Sequence, residues 1–302
     1  MRARIPLGGT FHLFKSNSIG MRSDREYPLQ ISEKRKRIVL LGDSYTAGDG
    51  VSNGERFSDL LEQSHTHLDV MNFGLNGSGT DQQVLIYETF AKSYESDAYI
   101  FAILTENIAR CGYTCFPSWD WNEHLVVYRP KPYFTLEDDQ LVLRNQPVPL
   151  ERRSIEALGD WKCDFPNVTE YPGDPYAIYR FKNSLLWNLQ KRIVDRFLKH
   201  VKGKPVFIAP LPMYDHYLEQ SPAEYYLERF KELEDISNKV YVIDVLPYLL
   251  SLPKQQRLNY RFPNDPHYTA LAHRIVSEAL LDNVSRFCPG LLTPQGFDSG
   301  PV

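Results

Sequence analysis

Arg37-Ile-Val-Leu-Leu-Gly-Asp-Ser-Tyr-Thr-Ala-Gly48 is an apolar run that breaks off at Gly-Asp-Ser. Ile38 to Leu41 are large or branched apolar residues without polar alternation, the pattern of a strand buried on both faces of a parallel sheet. Such a strand stops at Gly42 and leaves Ser44 just past its C-terminal edge, where open α/β sheets gather their ligands. A serine there serves as a nucleophile only if a base takes its proton and donors receive the charge developing on the attacked carbonyl. On three residues alone, a tight strand-to-helix turn with Asp43 or Ser44 as the helix cap is the better explanation of the tripeptide.

The far end of the chain supplies a base. Asn264-Asp-Pro-His-Tyr268 sets Asp265 two residues before His267, directly ahead of a helix-like segment. In an extended loop that spacing lets Asp265 reach the His267 Nδ1–H and fix the tautomer that leaves Nε2 free for Ser44. Asp265 is also a candidate cap for the last helix, and the two roles are compatible. Gly-Asp-Ser-Tyr-Thr-Ala-Gly followed by a distant Asp-x-His resembles the SGNH (GDSL-type) hydrolase family. The resemblance covers roughly residues 35–110 and 205–282, with four separated blocks in the family's order.

Taken through the chain, the resemblance implies more. Gly74-Leu-Asn-Gly-Ser-Gly-Thr80 is a glycine-rich turn after the strand candidate Asp69-Val-Met-Asn-Phe73. By likeness to the family's second block, Gly77 supplies a backbone N–H to an oxyanion, with Gly74 as the competing position. Ala98-Tyr-Ile-Phe-Ala-Ile-Leu104 is a third buried strand, and it ends in Thr105-Glu-Asn-Ile108 where the family shows Gly-x-Asn-Asp. Asn107 falls on the family's asparagine, whose side-chain amide donates to the oxyanion; Thr105 and Ile108 depart from the pattern. An asparagine at a strand end is also an ordinary turn residue. The family reading makes Ser44, Asp265 and His267 the catalytic set and Ser44, Gly77 and Asn107 the oxyanion hole, with no metal or organic cofactor.

The remaining periodicity agrees with an α/β fold. Ser184–Val201 carries Leu185, Leu186, Leu189, Ile193, Val194 and Phe197 at helical spacing, and Pro205-Val-Phe-Ile-Ala209 and Val240-Tyr-Val-Ile-Asp-Val245 are the fourth and fifth strands. A charged amphipathic helix is expected over 221–236, with Ser221 as N-cap and Pro222 in its first turn. A closing helix is expected over 268–284. Strands alternating with helices give a three-layer α/β sandwich on a five-stranded, mostly parallel sheet. Residues 1–34 form an N-terminal extension packed on the surface, 35–286 the hydrolase-like domain, and 287–302 a loose tail.

Between 111 and 182 the rhythm gives way to aromatics, among them Tyr113, Phe116, Trp119, Trp121, Trp161, Phe165, Tyr176 and Tyr179. This insertion leaves the end of the third strand, so it is placed to wall a pocket, and Tyr133–Leu143 reads as a hairpin. Its aromatics either stack on sugar rings or form a small core of their own.

Composition bounds the rest. The 302 residues are 42% hydrophobic and 13% aromatic, enough for a sizeable core, and the net charge of -4 argues against a nucleic-acid binder. No apolar run approaches the ~18 residues of a membrane helix, and the N-terminus lacks a signal-peptide stretch, so a cytoplasmic protein without a membrane span is expected. Cys111, Cys115, Cys163 and Cys288 are too sparse for a disulfide scaffold and are expected reduced. The expected activity is hydrolysis of a carboxylic ester through an acyl-enzyme on Ser44, an O-acetylated carbohydrate being one candidate substrate. An O-acyltransferase using the same triad and a non-catalytic binding protein on the same fold are the alternatives, and oligomeric state is not indicated.

Overall fold

The computed structural model describes residues 2–7, 10–120, 124–148, 153–154 and 176–293. Five strands form one fully parallel sheet in the order Val240–Val242, Val206–Leu211, Ala98–Leu104, Lys36–Leu41, Leu68–Asn72. Numbered along the chain this is 2-1-3-4-5, so the direction of winding reverses between the first and third strands. Sheets of this order bind their ligands in the crevice at that reversal, beyond the strands' C-terminal ends. Ser44 opens the helical turn that follows the first strand, and Asn107 opens the one that follows the third.

The three middle strands are apolar and buried along almost their whole length, as both-face burial requires. Phe57–Ser64 packs on the closing helix Ala270–Phe287, and Thr80–Thr89 packs on Leu185–His200, giving helices on both faces of the sheet. The first strand is pinned at its start by Arg37, which is fully buried and donates to Asp69, Leu29 O and Glu95 O. At its other end Gly42 is required sterically, since a Cβ there would lie 2.8 Å from Ala102 O and collide with the Thr46 side chain.

Several boundaries differ from expectation. The amphipathic helix runs over Glu224–Lys231 with Ala223 at its N-cap; Ser221 N instead donates to Asp215 O (3.0 Å), closing the turn after Tyr214–Tyr217. The fifth strand ends at Val242, because Asp244 turns back to accept from Leu246 N and starts Leu246–Leu250. The closing helix begins at Ala270 behind Thr269 and extends to Phe287, after which Leu291 and Leu292 are still buried in the core. His273, inside that helix, is fully buried, and its Nδ1 accepts from Phe57 N (3.2 Å).

The insertion begins with Cys115–Asp120, Leu125–Pro130 and Arg153–Ser154 as a three-stranded antiparallel sheet. The expected hairpin follows as Tyr133–Glu137 paired with Gln140–Arg144. Phe134, Tyr176 and Tyr179 are buried in the main core, whereas Trp121, Trp161, Phe165 and Tyr171 lie outside the described residues. Cys115 is disulfide-bonded, which corrects the expectation that all four cysteines are reduced; Cys111 and Cys288 are free. Disulfides persist chiefly in oxidising compartments, so cysteine usage no longer supports a cytoplasmic location. No helix among the described residues is long and apolar enough to cross a membrane.

The insertion is tied down by an ion pair between Lys131 and Asp81, both side chains almost completely buried, with Lys131 Nζ also donating to Arg110 O (3.0 Å). Replacing one member leaves an uncompensated buried charge, so Lys131→Met should destabilise the protein by about 3–5 kcal/mol. Adding Asp81→Asn should recover most of that loss in urea unfolding. Equal losses in the single and double variants would show that the pair is not what anchors the insertion.

Candidate active site

Asp43 follows the first strand and caps the one-turn helix Ser44–Ala47, its Oδ1 accepting from Tyr45 N (3.0 Å). The turn throws Ser44 out over the sheet edge. His267 arrives from the opposite end of the chain on Asp265–Tyr268, a short strand paired with Arg261–Phe262. His267 Nε2 lies 2.8 Å from Ser44 Oγ, and Nδ1 lies 2.6 Å from Asp265 Oδ1. The same Oδ1 accepts from His267 N (2.9 Å), so the carboxylate grips both the backbone and the ring of its partner. With Nδ1 protonated towards Asp265, Nε2 is left to accept from the Ser44 hydroxyl. The alternative expected for Asp265, capping the closing helix, is not realised: Thr269 holds that position.

Tyr45, next in chain to Ser44, fastens the histidine loop. Its hydroxyl donates to Pro266 O (2.8 Å) and its ring lies 4.8 Å from that of His267. Tyr268 donates to Pro212 O (2.6 Å) and ties the same loop to the end of the fourth strand. Sequence reading missed both tyrosines, because nothing in their spacing separates a loop fastener from a core aromatic.

Of the two glycines considered as donors, Gly74 has its N–H committed to Asn72 Oδ1 at 2.8 Å. Gly77 is left-handed (φ 72°), and a Cβ there would sit 2.9 Å from Phe116 Cε2, so backbone conformation and the insertion's first strand both demand glycine. Asn107 opens the short helix Asn107–Cys111 and is fully buried, with neither amide atom hydrogen-bonded to protein in ordinary geometry. The departures from family pattern beside it are accommodated: Thr105 N donates to Leu211 O (3.0 Å), Thr105 O accepts from Tyr179 (2.6 Å), and Ile108 is in the core.

Two carboxylates flank the site beyond the expected set. Asp43 is fully buried, and burial pushes its carboxyl up to about 6 against the opposing pull of Arg110, the Tyr45 N–H, His267 and the nearby Asn107 amide. Arg110 Nη1 is 3.4 Å from Asp43 Oδ2. Asp49 Oδ2 stands 4.0 Å from His267 Nε2, and both its oxygens accept from Asn76 Nδ2 at 2.7 Å. Asp49 and Asn76 read as loop residues in sequence; only the fold brings them to the histidine.

The N-terminal segment fixes the loop that carries Asp49. Arg22 Nη1 donates to Ala47 O (3.0 Å) and Gly48 O (2.7 Å), Nε to Asn53 Oδ1 (2.9 Å), and Nη2 to Val51 O. Burial lowers this guanidinium to about 10, still a cation at neutral pH. Asn17-Ser-Ile-Gly-Met-Arg22 is thus part of the scaffold around the loop after Ser44, with Met21 and Tyr27 in the main core.

No protein-family model matches the chain, and no curated protein matches it in sequence. Solved structures to which its fold is similar include lipolytic proteins of the G-D-S-L family, a lipase/acylhydrolase and an acetyl xylan esterase. A lipolytic G-D-S-L family protein from Veillonella parvula aligns at 12% identity and a TM-score of 0.47, covering 83% of this chain and 99% of the neighbour. A lipase/acylhydrolase from Enterococcus faecalis aligns at 13% and 0.48, covering 86% and 98%. The acetyl xylan esterase AlAXEase aligns at 10% and 0.48, covering 82% and 99%.

The raised pKa of Asp43 has a consequence for stability. Between its unfolded value near 3.8 and its folded value of about 6, the folded state holds the proton that the unfolded state has lost. Stability therefore falls as pH rises through that window, by up to about 3 kcal/mol. Asp43→Asn has no such proton, so its stability relative to wild type should improve by about 2–3 kcal/mol between pH 4 and pH 7 in urea unfolding. A difference that does not change with pH would mean that Asp43 is ionised in the fold throughout.

Proposed function

We propose that the protein is a serine hydrolase that cleaves a carboxylic ester through an acyl-enzyme on Ser44. The observation that carries this reading is the continuous hydrogen-bonded line from Ser44 Oγ through His267 to Asp265, with steps of 2.8 and 2.6 Å. His267 Nε2 takes the Ser44 proton as Oγ attacks the ester carbonyl. The imidazolium so formed is held by Asp265, with Asp49 nearby, and returns the proton to the leaving alcohol. Water then repeats the sequence on the acyl-enzyme, releasing the acid and restoring Ser44.

The oxyanion is received by the Ser44 and Gly77 N–H groups and the Asn107 amide. The full burial of the Asn107 side chain supports this role, because a donor held in place beforehand needs no reorganisation as charge develops. Phe134, Tyr176 and Tyr179 of the insertion are core residues and lend no support to an O-acetylated carbohydrate as substrate.

Ser44→Ala and His267→Ala should each abolish turnover of an aryl acetate, and the double variant should be no worse than either single one, because the members act as a unit. Asn107→Ala should lower kcat by about 10² to 10³ with KM little changed, and Asn107→Asp should be worse, since a carboxylate cannot donate and repels the oxyanion. Residual activity in Ser44→Ala within about tenfold of wild type would remove Ser44 as nucleophile. An intact kcat in Asn107→Ala would reduce that side chain to a turn residue.

A further inference from the structure

A groove of about 660 Å³ runs alongside the loop that carries Asp49, with walls that are largely apolar: Phe14, Ile19, Leu29, Phe73, Leu75 and Phe90. Four of these, Ile19, Leu29, Leu75 and Phe90, are among the large apolar side chains left exposed in the described residues. Large apolar residues exposed together in one concavity mark a binding surface. The groove adjoins the active site. Phe14, Arg22, Asp49 and Asn76 line both the groove and a smaller cavity whose wall is formed by Asp265 and His267.

The position of that shared wall decides which part of a substrate the groove takes. In the proposed reaction, His267 Nε2 hands its proton to the leaving oxygen, so the alcohol must depart past Nε2. Asp49 stands 4.0 Å from Nε2 and lines the groove. We infer that the groove binds the leaving alcohol of the substrate, and that this alcohol carries an aliphatic body. The inference rests on the hydrolase reading and adds the class of the alcohol to it. It also gives the N-terminal segment a task beyond holding the loop, since Phe14, Ile19 and Leu29 form much of one wall.

Octyl acetate and ethyl octanoate test this directly, because they are isomers that place the same chain on opposite sides of the ester. With wild-type protein and substrates kept below micelle-forming concentrations, kcat/KM should rise about threefold per methylene along the alkyl acetates, roughly a hundredfold from butyl to octyl. Along the ethyl esters of longer acids it should stay flat or fall. Phe90→Asp should lower the octyl-to-ethyl acetate ratio by about tenfold or more, the ratio correcting for any loss of folded protein. Chain-length preference in the acyl series instead, or in neither series, overturns the assignment.

Should no ester be cleaved, the hydrolase reading fails and the groove is tested by calorimetric binding of 1-decanol to the wild-type protein. Binding that Phe90→Asp weakens at least tenfold would keep the groove as an aliphatic-alcohol site. No binding, or binding insensitive to Phe90→Asp, would overturn it.

Discussion

The contact between Ser44 Oγ and His267 Nε2 joins residues 223 positions apart, and much of the architecture exists to hold it at 2.8 Å. One side is fixed by a strand buried along its length, a glycine that nothing larger could replace, and a buried carboxylate that caps the following turn. The other is fixed by a short hairpin, by Tyr45 gripping Pro266, and by Tyr268 gripping Pro212. Neither side depends on a flexible loop alone, which suits a proton transfer that needs heavy atoms within hydrogen-bonding reach.

The topology supplies a second constraint. Because winding reverses between the first and third strands, the ends of those strands open into a common crevice, and the fold needs no further device to bring Ser44 and Asn107 towards one another. The electrostatics there are costly. A fully buried Asp43 carboxyl, the buried Asn107 amide beside it and a second carboxylate near the histidine all oppose stability locally. The surrounding core, continuous across all five strands, offsets them.

The backbone scheme was legible in the sequence because apolar runs without alternation have few other uses. Ser44, Asp265 and His267 could be singled out because two short motifs at opposite ends explain each other chemically. What stayed hidden depends on contacts between distant segments. Arg22 looks like a turn residue until its four acceptors in the loop after Ser44 are seen, and Asp49 looks like loop punctuation until the fold sets it beside His267. The choice between Gly74 and Gly77 was open for the same reason: only the folded chain reveals that the Gly74 N–H is committed to Asn72. The helix expected over 221–236 failed at its ends, where Ser221 found an acceptor in the preceding turn rather than capping a helix.

The central claim is that Ser44 is an activated nucleophile and not merely the first residue of a helix. A fluorophosphonate forms a covalent bond only with a serine whose proton has a base to accept it, which makes stoichiometric labelling followed by peptide mapping the most direct test. The account predicts one phosphonyl group per chain, located on Ser44 and absent in His267→Ala. An unlabelled protein, or a label on another residue, would contradict it.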